Sequence, residues 1–199
     1  MQPRQHIRHT IRKARRQLSP AQQKQAAQTV TQRFMALPDV KKATDIALYL
    51  SFDGELDTMP VIEACWDANK NVYLPVVHPF SRGHLLFLLY TPTTPMRVNG
   101  YGIAEPQLDI RTLIPSEKLG VIATPLVAFD AKGQRLGMGG GYYDRTLGIC
   151  APDAVAVGLA HDCQQWPTLP TEQWDVPLPH ILTPSQHWHW PIRISRPSP

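Results

Sequence analysis

The chain has 199 residues, of which 43% are hydrophobic, and this composition suits one globular domain with a real core. No apolar run is long enough to cross a bilayer, and the basic N-terminus is not followed by the apolar core of a signal peptide, so we expect neither membrane insertion nor secretion. The three cysteines form no CxxC pair, which indicates neither a zinc knuckle nor a disulfide framework and is typical of the reducing cytoplasm.

The net charge of +4 is unevenly distributed along the chain. Residues 1–33 contain eight basic side chains and no acidic one, whereas the rest of the chain has 12 basic against 16 acidic side chains. Such a basic segment can bind nucleic acid, the phosphates of a nucleotide or another acidic ligand. Because residues 1–33 contain no aromatic side chain on which a base could stack, we expect no nucleic-acid partner.

Two helices are predicted at the N-terminus. Apolar residues from Ile7 to Leu18 recur at helical spacing, which predicts an amphipathic helix from about residue 4 to residue 18. Ser19, followed by a proline, is typical of an N-cap, so we expect a second helix that runs toward residue 37 and ends at Pro38. Residues 1–37 are therefore predicted to form a basic helical arm.

The remaining elements alternate between strands and helices. Short apolar runs predict strands at 46–50, 72–77, 85–90, 119–124 and 154–160. A predicted helix over 58–69 lies between the first two strands, so we expect these strands to be parallel and joined by a right-handed crossover. The strand at 85–90 is expected to be antiparallel or peripheral. The proline-rich segment 91–118 gives no prediction, and residues 185–199 are expected to form a flexible tail. The sequence thus predicts an α/β fold in one domain, 1–199, with an open and mostly parallel sheet.

The strongest chemical signal is the glycine-rich stretch from Arg135 to Asp144. It contains four glycines within residues 137–141, which removes the Cβ atoms that would keep the backbone away from a ligand. Consecutive N–H groups in such a turn form a nest for anions, and a helix that begins at Tyr142 would add its positive dipole end. We interpret the stretch as a phosphate-binding loop.

A tight turn with glycines at positive φ is the simpler interpretation of this loop. The stretch is neither a P-loop nor a dinucleotide-binding fingerprint, because no lysine closes it and the spacing of its glycines differs. The residues around it favour phosphate binding, since arginines can bind phosphate oxygens and Asp144 is a carboxylate able to hold Mg²⁺.

Other carboxylates are candidates for binding, with structural roles as the alternative. Asp53, Glu55 and Asp57 alternate after the first strand; we interpret the two aspartates as part of a solvated turn and a helix cap, and leave Glu55 open. Asp175, in a late loop, is a minor candidate for a second carboxylate at a metal. The histidines form no set with metal-ligand spacing, and no GxSxG elbow is present.

The glycine stretch, together with Phe129, Asp130 and Gly133, resembles the signature of the 5-formyltetrahydrofolate cyclo-ligase family. The segments from Arg4 to Arg8, from Leu50 to Glu55 and from Trp174 to Pro177 also resemble motifs of that family. The resemblance implies a three-layer α/β/α sandwich. It further implies that the enzyme closes 5-formyltetrahydrofolate to 5,10-methenyltetrahydrofolate with ATP and Mg²⁺, and that ADP and phosphate are released. In this reaction the formyl oxygen is first phosphorylated, and N10 then attacks the formyl carbon.

The resemblance also implies a role for each matching residue. The ATP-binding residues would be Arg4, Arg8, Arg135, Leu136, Gly137, Met138, Gly139, Gly140, Gly141, Tyr142 and Tyr143. The folate-binding residues would be Leu50, Glu55, Met138, Gly139, Gly140, Gly141 and Tyr142, with Glu55 bonded to ring nitrogens of the pterin. Asp144 and Asp175 would hold Mg²⁺, and Tyr143 and Arg145 would be catalytic.

The chain departs from the family pattern at Gly140, where some members have a lysine. Another cation must then neutralise the γ-phosphate, and Arg145 is the candidate. The partners implied are small molecules only, ATP and 5-formyltetrahydrofolate, and we expect a monomer.

Two other classes of function remain open on the residues alone. A binding module could hold RNA or a folate without turnover, in which case its RNA affinity would depend strongly on salt. A sugar-phosphate isomerase or a CoA-transferase-like enzyme could share the fold, but it would need a nucleophile or general base in the glycine-loop crevice, and the sequence offers no clear candidate.

Overall fold

The computed structural model describes residues 3–192. The α-helices are α1 Pro3–Arg16, α2 Pro20–Ala36, α3 Pro38–Lys42, α4 Met59–Asp67 and α5 Tyr142–Ile149. The strands are β1 Asp45–Ala47, β2 Asn71–Val77, β3 Leu85–Leu89, β4 Met96–Val98, β5 Ala104–Pro106, β6 Leu113–Ile114, β7 Val121–Thr124, β8 Ala128–Phe129, β9 Arg135–Leu136, β10 Val155–Leu159, β11 His180–Leu182 and β12 His187–His189.

Eight of these strands form a central sheet in the order β12-β11-β10-β7-β1-β2-β3-β6. The five strands from β11 to β2 run parallel, and β12, β3 and β6 join the edges antiparallel. The predicted α/β fold with a mostly parallel sheet is confirmed, as is the antiparallel setting of β3. Because parallel strands end at the same edge of a sheet, the loops after β1, β2, β7 and β10 meet there.

The sheet is covered on both faces, as alternate side chains of a strand require. In β7, Val121 and Ala123 pack into one core cluster, which includes Val30 and Phe34 of α2 and residues of α4. Ile122 of the same strand packs into a second cluster, which contains residues of α5. The helices therefore form layers on opposite faces, in agreement with the three-layer architecture.

The helix boundaries follow the capping chemistry at Ser19. Its side chain accepts a hydrogen bond from the Gln22 amide, and the Gln22 side chain accepts one from the Ser19 amide, which together make the capping box. The helix α2 begins at Pro20 as predicted and ends at Ala36. Pro38 does not simply end it; the proline opens the short helix α3, because a proline suits the first turn of a helix.

Three parts of the chain differ from the sequence-based expectation. The first strand ends at Ala47 rather than residue 50, and the unassigned segment 91–118 contains the hairpin of β4 and β5 together with β6. The expected flexible tail is wrong for residues 187–189, because they pair antiparallel with β11. Residues 193–199 of that tail lie outside the described residues. Within residues 3–192, no helix is long and apolar enough to cross a membrane.

Candidate active site

A cavity of about 580 Å³ opens at the edge of the sheet where the parallel strands end. Its walls come from α1, the loops after β1 and β7, strand β2 and the start of β3, the hairpin of β4 and β5, the glycine loop, and the loop that contains Asp175. The predicted site residues that line it are Arg4, Arg8, Leu50, Glu55, Arg135, Leu136, Gly137, Met138, Gly139, Gly140, Gly141, Tyr142, Tyr143, Asp144 and Asp175. Residues predicted from four separate segments of the sequence are thus brought together around one space.

The glycine loop connects β9 to α5 and lies against α1. Gly139 has φ +105° and Gly141, the N-cap of α5, has φ +65°, so both occupy the region that favours glycine. A Cβ at Gly139 would lie 3.4 Å from the Arg8 guanidinium. The missing side chains therefore permit both the turn and the close approach of an arginine, and the N-terminus of α5 begins where the turn ends.

Two arginines of α1 flank the glycine loop. Arg8 donates from Nε to the Gly137 carbonyl at 2.8 Å. Its pKa is lowered mainly by burial and, to a smaller extent, by the positive charge of Arg4. Arg4 forms an ion pair with Asp175 and donates to the Pro170 carbonyl at 3.0 Å. Helix α1 thus holds two positive charges at the cavity wall, and guanidinium groups bind anions such as phosphate and carboxylate.

The two predicted metal carboxylates each have an arginine partner. The Oδ1 atom of Asp144 accepts from Arg135 at 2.5 Å and from the Val176 amide at 3.2 Å. The Oδ2 atom of Asp175 accepts from the Glu172 amide at 2.8 Å and from Arg4. Among the hydrogen bonds of the described residues, the second oxygen of each carboxylate has no donor.

This donor set fits Mg²⁺ bound together with a nucleotide, and not a preformed metal cage. Within residues 3–192, no group of three or more His, Cys, Asp or Glu side chains could hold a metal. Mg²⁺ commonly takes one or two carboxylates and completes its shell with water and substrate phosphates. One free oxygen on Asp144 and one on Asp175 match that requirement.

Glu55 lines the cavity, and its side chain is largely buried. Its Oε2 atom accepts from the Phe52 amide at 3.1 Å, and burial raises its pKa to about 7 against the opposing charge of Arg15. The pKa of the Tyr143 phenol is also raised, mainly by burial and then by the negative charge of Glu55. The Tyr143 hydroxyl has no hydrogen-bond partner among the described residues. A ligand that reached this region would meet one carboxyl group and one free hydroxyl.

Asp53 does not form the solvated turn that we inferred. Its carboxylate is almost fully buried and receives Arg12 at 2.6 Å, Arg15 at 3.1 Å and Arg16. Burial alone would raise its pKa, but the hydrogen bonds from Arg12 and Arg16 lower it. Asp57 has the predicted capping role, since it accepts from the Met59 amide at 3.0 Å.

Arg145 is the one predicted site residue that does not line the cavity. Its Nε atom donates to the Gly83 carbonyl at 2.8 Å, and its guanidinium also donates to the Gly140 carbonyl. The side chain therefore lies behind the glycine loop and joins it to the loop between β2 and β3.

Tyr101, which lies in the turn of the β4–β5 hairpin, is a cavity residue that was not predicted from the sequence. Its hydroxyl is 2.9 Å from that of Tyr142, and the two rings meet edge to face at 6.3 Å. Trp174, which is two-thirds exposed, also lines the cavity and was not predicted as a site residue. Tyr101 could not be assigned because its segment has no periodicity, although an isolated aromatic residue between glycines is a weak sign of a ligand-facing turn.

An α/β sheet with a glycine loop, two arginines and two carboxylates at its carboxyl edge defines an α/β enzyme whose cavity suits an anionic ligand. The chain belongs to the 5-formyltetrahydrofolate cyclo-ligase family, whose model matches residues 1–184.

Relatives and solved structures agree with this assignment. The 5-formyltetrahydrofolate cyclo-ligase of Escherichia coli is 54% identical over 181 residues, which cover 90% of this chain and all of the relative. That of Haemophilus influenzae is 54% identical over 182 residues, which cover 91% of this chain and 97% of the relative. The 5,10-methenyltetrahydrofolate synthetase of Aquifex aeolicus superposes with a TM-score of 0.81 at 29% identity, over 94% of this chain and 92% of that one.

Proposed function

We propose that this enzyme converts 5-formyltetrahydrofolate to 5,10-methenyltetrahydrofolate in a reaction that needs ATP and Mg²⁺ and releases ADP and phosphate. The names of the relatives support the folate chemistry. The observation that carries the rest is that one cavity is lined by the glycine loop, by the arginines of α1, by Asp144 and Asp175, and by Glu55. A phosphate donor and a pterin could therefore meet in one space.

The chemistry follows from the formyl group of the substrate, which is an amide with a poor leaving group. The formyl oxygen attacks the γ-phosphorus of ATP, so that a new oxygen–phosphorus bond forms while the bond to ADP breaks. N10 of the same molecule then attacks the formyl carbon, and the carbon–oxygen bond breaks with release of phosphate. The N10 proton leaves with the phosphate, and the product retains one positive charge.

The ring closure is intramolecular, so the protein mainly has to position the groups and neutralise charge. Well-oriented intramolecular reactions reach effective molarities of about 10⁵–10⁸ M. We propose that the loop amides near Gly139 and Gly141, the N-terminus of α5, Arg4 and Arg8 bind the phosphates. Asp144 and Asp175 would hold Mg²⁺, which when bound supplies positive charge to the phosphate oxygens.

The folate is proposed to bind with its pterin toward Glu55. The carboxylate would accept hydrogen bonds from ring N–H groups, and Leu50, also in the cavity wall, would contact the ring. We propose Tyr143 as a catalytic side chain, because it lines the cavity and its buried hydroxyl has no hydrogen-bond partner among residues 3–192.

The cation that replaces a lysine at Gly140 is proposed to act from behind the loop. Arg145 binds the Gly140 carbonyl, so its charge lies on the far side of the turn from the cavity. From there it can hold the loop amides toward the phosphate and add positive potential. Arg8, whose guanidinium lies against Gly139, is then the cation that could contact the transferred phosphate.

We further propose a cytoplasmic enzyme, in keeping with three cysteines that are all free thiols. The monomeric state expected from the sequence stays a prediction, which light scattering of the purified protein would test.

The direct experiment mixes the purified protein with 5-formyltetrahydrofolate and follows methenyltetrahydrofolate by its ultraviolet absorbance. We expect product only when ATP and Mg²⁺ are both present. Absence of ATP-dependent product would contradict the proposal. Strongly salt-dependent RNA binding without turnover would instead support the binding-module alternative.

A further inference from the structure

We propose that Arg15 is a positioning residue, which holds the Glu55 carboxylate in place for the pterin. This inference rests on the proposed function, because it concerns how the folate end of the cavity is built. Arg15 itself does not line the cavity, so it would act through Glu55 and not by touching a ligand.

The position of Arg15 in α1 is unusual for an arginine. The buried residues of this helix are Ile7, Ile11 and Arg15, which follow one another at intervals of four. That spacing marks the face of a helix that packs against the core, where an apolar side chain is expected. Arg15 is fully buried there, and a buried charge is costly unless its partners compensate for the lost water.

Two of the three guanidinium nitrogens of Arg15 are anchored on Asp53. Nε donates to the Asp53 carbonyl at 2.8 Å, and Nη2 donates to its Oδ2 atom at 3.1 Å. Nη1 is buried, has no hydrogen-bond partner among the described residues and lies 3.8 Å from the Oε1 atom of Glu55. The anchoring fixes the planar group, so the remaining nitrogen faces the Glu55 carboxylate at a set distance.

Asp53 does not need Arg15 for its own charge balance. Arg12 and Arg16 both pair with the same carboxylate, and Arg16 is more than half exposed. A fully buried third arginine is therefore not explained by Asp53 alone. Its effect on Glu55 provides the explanation, because Glu55 has no other cation within ion-pair distance among the described residues.

Among the groups around Glu55, Arg15 does the most to lower the pKa of the Glu55 carboxyl group. Burial raises the pKa of Glu55, Arg15 is the strongest opposing influence, and the amide of Phe52 and the charge of Arg12 oppose it less. Asp53 acts in the other direction. His161 adds no positive charge near neutral pH, because burial and then Arg15 lower its pKa to about 4.

The two tyrosines nearby add no charge to the surroundings of Glu55. Burial raises the pKa of both Tyr49 and Tyr143, so both stay neutral. Without Arg15 the Glu55 carboxyl would be largely protonated near neutral pH. A protonated carboxyl has lost part of its capacity to accept hydrogen bonds, so it would bind two ring N–H groups of a pterin poorly.

The test compares Arg15→Met with Arg16→Met, a control that removes an Asp53 contact but leaves the surroundings of Glu55 unchanged. The KM for 5-formyltetrahydrofolate, the KM for ATP and kcat are measured from about pH 6 to about pH 9. For Arg15→Met we expect a rise of about tenfold in the folate KM near neutral pH, with the ATP KM changed less than about twofold. The pH below which folate binding weakens should move upward, whereas Arg16→Met should match the parent enzyme.

A double-mutant cycle separates this role from a purely structural one. In the Glu55→Gln background, Arg15→Met should change the folate KM by less than about twofold, because the group through which it acts is gone. If the two substitutions multiply their effects on the folate KM, or if Arg15→Met leaves that KM and its pH profile unchanged, the inference is overturned.

Folding is checked by circular dichroism and thermal unfolding of each variant. If Arg15→Met does not unfold cooperatively, Arg15→Lys is used in the same cycle, since it keeps the charge but loses the paired anchor on Asp53. It should raise the folate KM several-fold, and the rise should again vanish in Glu55→Gln. If the parent enzyme forms no ATP-dependent product, the proposed function is wrong. If the parent is active but the two substitutions multiply their effects on the folate KM, only the role of Arg15 is wrong.

Discussion

Arg135 and Asp144 form an ion pair of 2.5 Å that joins the two ends of the glycine loop. The arginine begins β9, the strand that leads into the loop, and the aspartate lies in the first turn of α5 at the end of the loop. Four glycines would otherwise leave this segment with a large choice of conformations. The pair restricts that freedom and places a carboxylate oxygen in the cavity, so one contact serves both the shape of the loop and the proposed metal site.

Asp144→Asn should remove most of the activity and part of the stability. The substitution weakens a proposed Mg²⁺ ligand and leaves the buried Arg135 without its charge partner, a loss of about 3 kcal/mol for a buried pair. We expect methenyltetrahydrofolate formation to fall by at least about 100-fold in an absorbance assay. Asp109→Asn, which alters an exposed carboxylate paired with Arg111, is the control. Activity of Asp144→Asn close to that of the control would argue against the metal assignment.

The buried Glu55 should make stability depend on pH in a defined direction. Its pKa rises from the ordinary value of 4.5 to about 7 in the folded chain, so between these values the native state binds more protons than the unfolded state. Stability from this group is therefore greatest below about pH 4.5 and is lost as the pH rises to about 7. The expected size is on the order of 3 kcal/mol, since one pKa unit corresponds to about 1.4 kcal/mol.

Glu55→Gln should abolish that contribution. Urea unfolding of the parent and the variant at about pH 5 and about pH 8 gives the difference in unfolding free energy at each pH. The variant should gain stability relative to the parent at the higher pH. Because His161 is present in both proteins, its opposite pH trend cancels in the difference between their unfolding free energies. A difference that does not change with pH would mean that Glu55 is already ionised in the folded chain.

Arg145→Met tests whether this arginine acts by charge or by holding the loop. Because it binds the carbonyls of Gly83 and Gly140, its loss should loosen the glycine loop and raise the ATP KM as well as lower kcat, by about tenfold each. Arg145→Lys should recover only part of either parameter, since an ammonium group cannot make the same pair of bonds. A large fall in kcat with an unchanged ATP KM, restored by lysine, would favour direct neutralisation of the transferred phosphate.

Gly139→Ala should impair ATP binding through the backbone. Gly139 has φ +105°, and the new methyl group would lie 3.4 Å from the Arg8 guanidinium, so both the turn and the arginine would have to shift. The expected destabilisation of about 1–3 kcal/mol should appear as a raised ATP KM and a lower melting temperature. Gly100→Ala, where φ is not positive and no atom lies within 4 Å of the added Cβ, is the matched control. Equal behaviour of the two variants would show that the loop tolerates a side chain.

The parts of the fold that the sequence predicted are those with local causes. Apolar spacing and the capping box at Ser19 gave the helices, and short apolar runs gave β2 and β10 within a residue or two. The run from Ile46 to Leu50 continues past the end of β1 because burial, not strand pairing, determines which residues are apolar. Tyr49, for example, is buried, and its carbonyl accepts from the Thr58 hydroxyl instead of a neighbouring strand.

The parts that could not be predicted depend on contacts between distant residues. The β4–β5 hairpin is held by Glu105, which accepts from Arg97 at 2.7 Å and from the Val77 amide at 3.2 Å. The strand formed by His187–His189 depends on its pairing with β11. The sequence contains these residues but has no periodicity that links them, so the hairpin, the last strand and the buried Arg15 needed the structure.

The same distinction applies to the site. The glycine loop, Glu55 and Asp175 could be found because they match motifs of a family, and the structure places them around one cavity. Arg145 was predicted to be the cation that replaces the lysine, but its position in the sequence does not determine which side of a turn its side chain occupies. The loop is therefore best described with Arg8 on its ligand side and Arg145 behind it.

The proposed reaction joins the γ-phosphorus of ATP to the formyl oxygen of the folate. Substrate that carries ¹⁸O in the formyl group tests this step. Mass spectrometry of the phosphate released during ATP-dependent turnover should show one ¹⁸O atom for each methenyltetrahydrofolate formed. Unlabelled phosphate formed together with methenyltetrahydrofolate would show that ATP is cleaved without phosphorylation of the formyl oxygen, and would contradict the account.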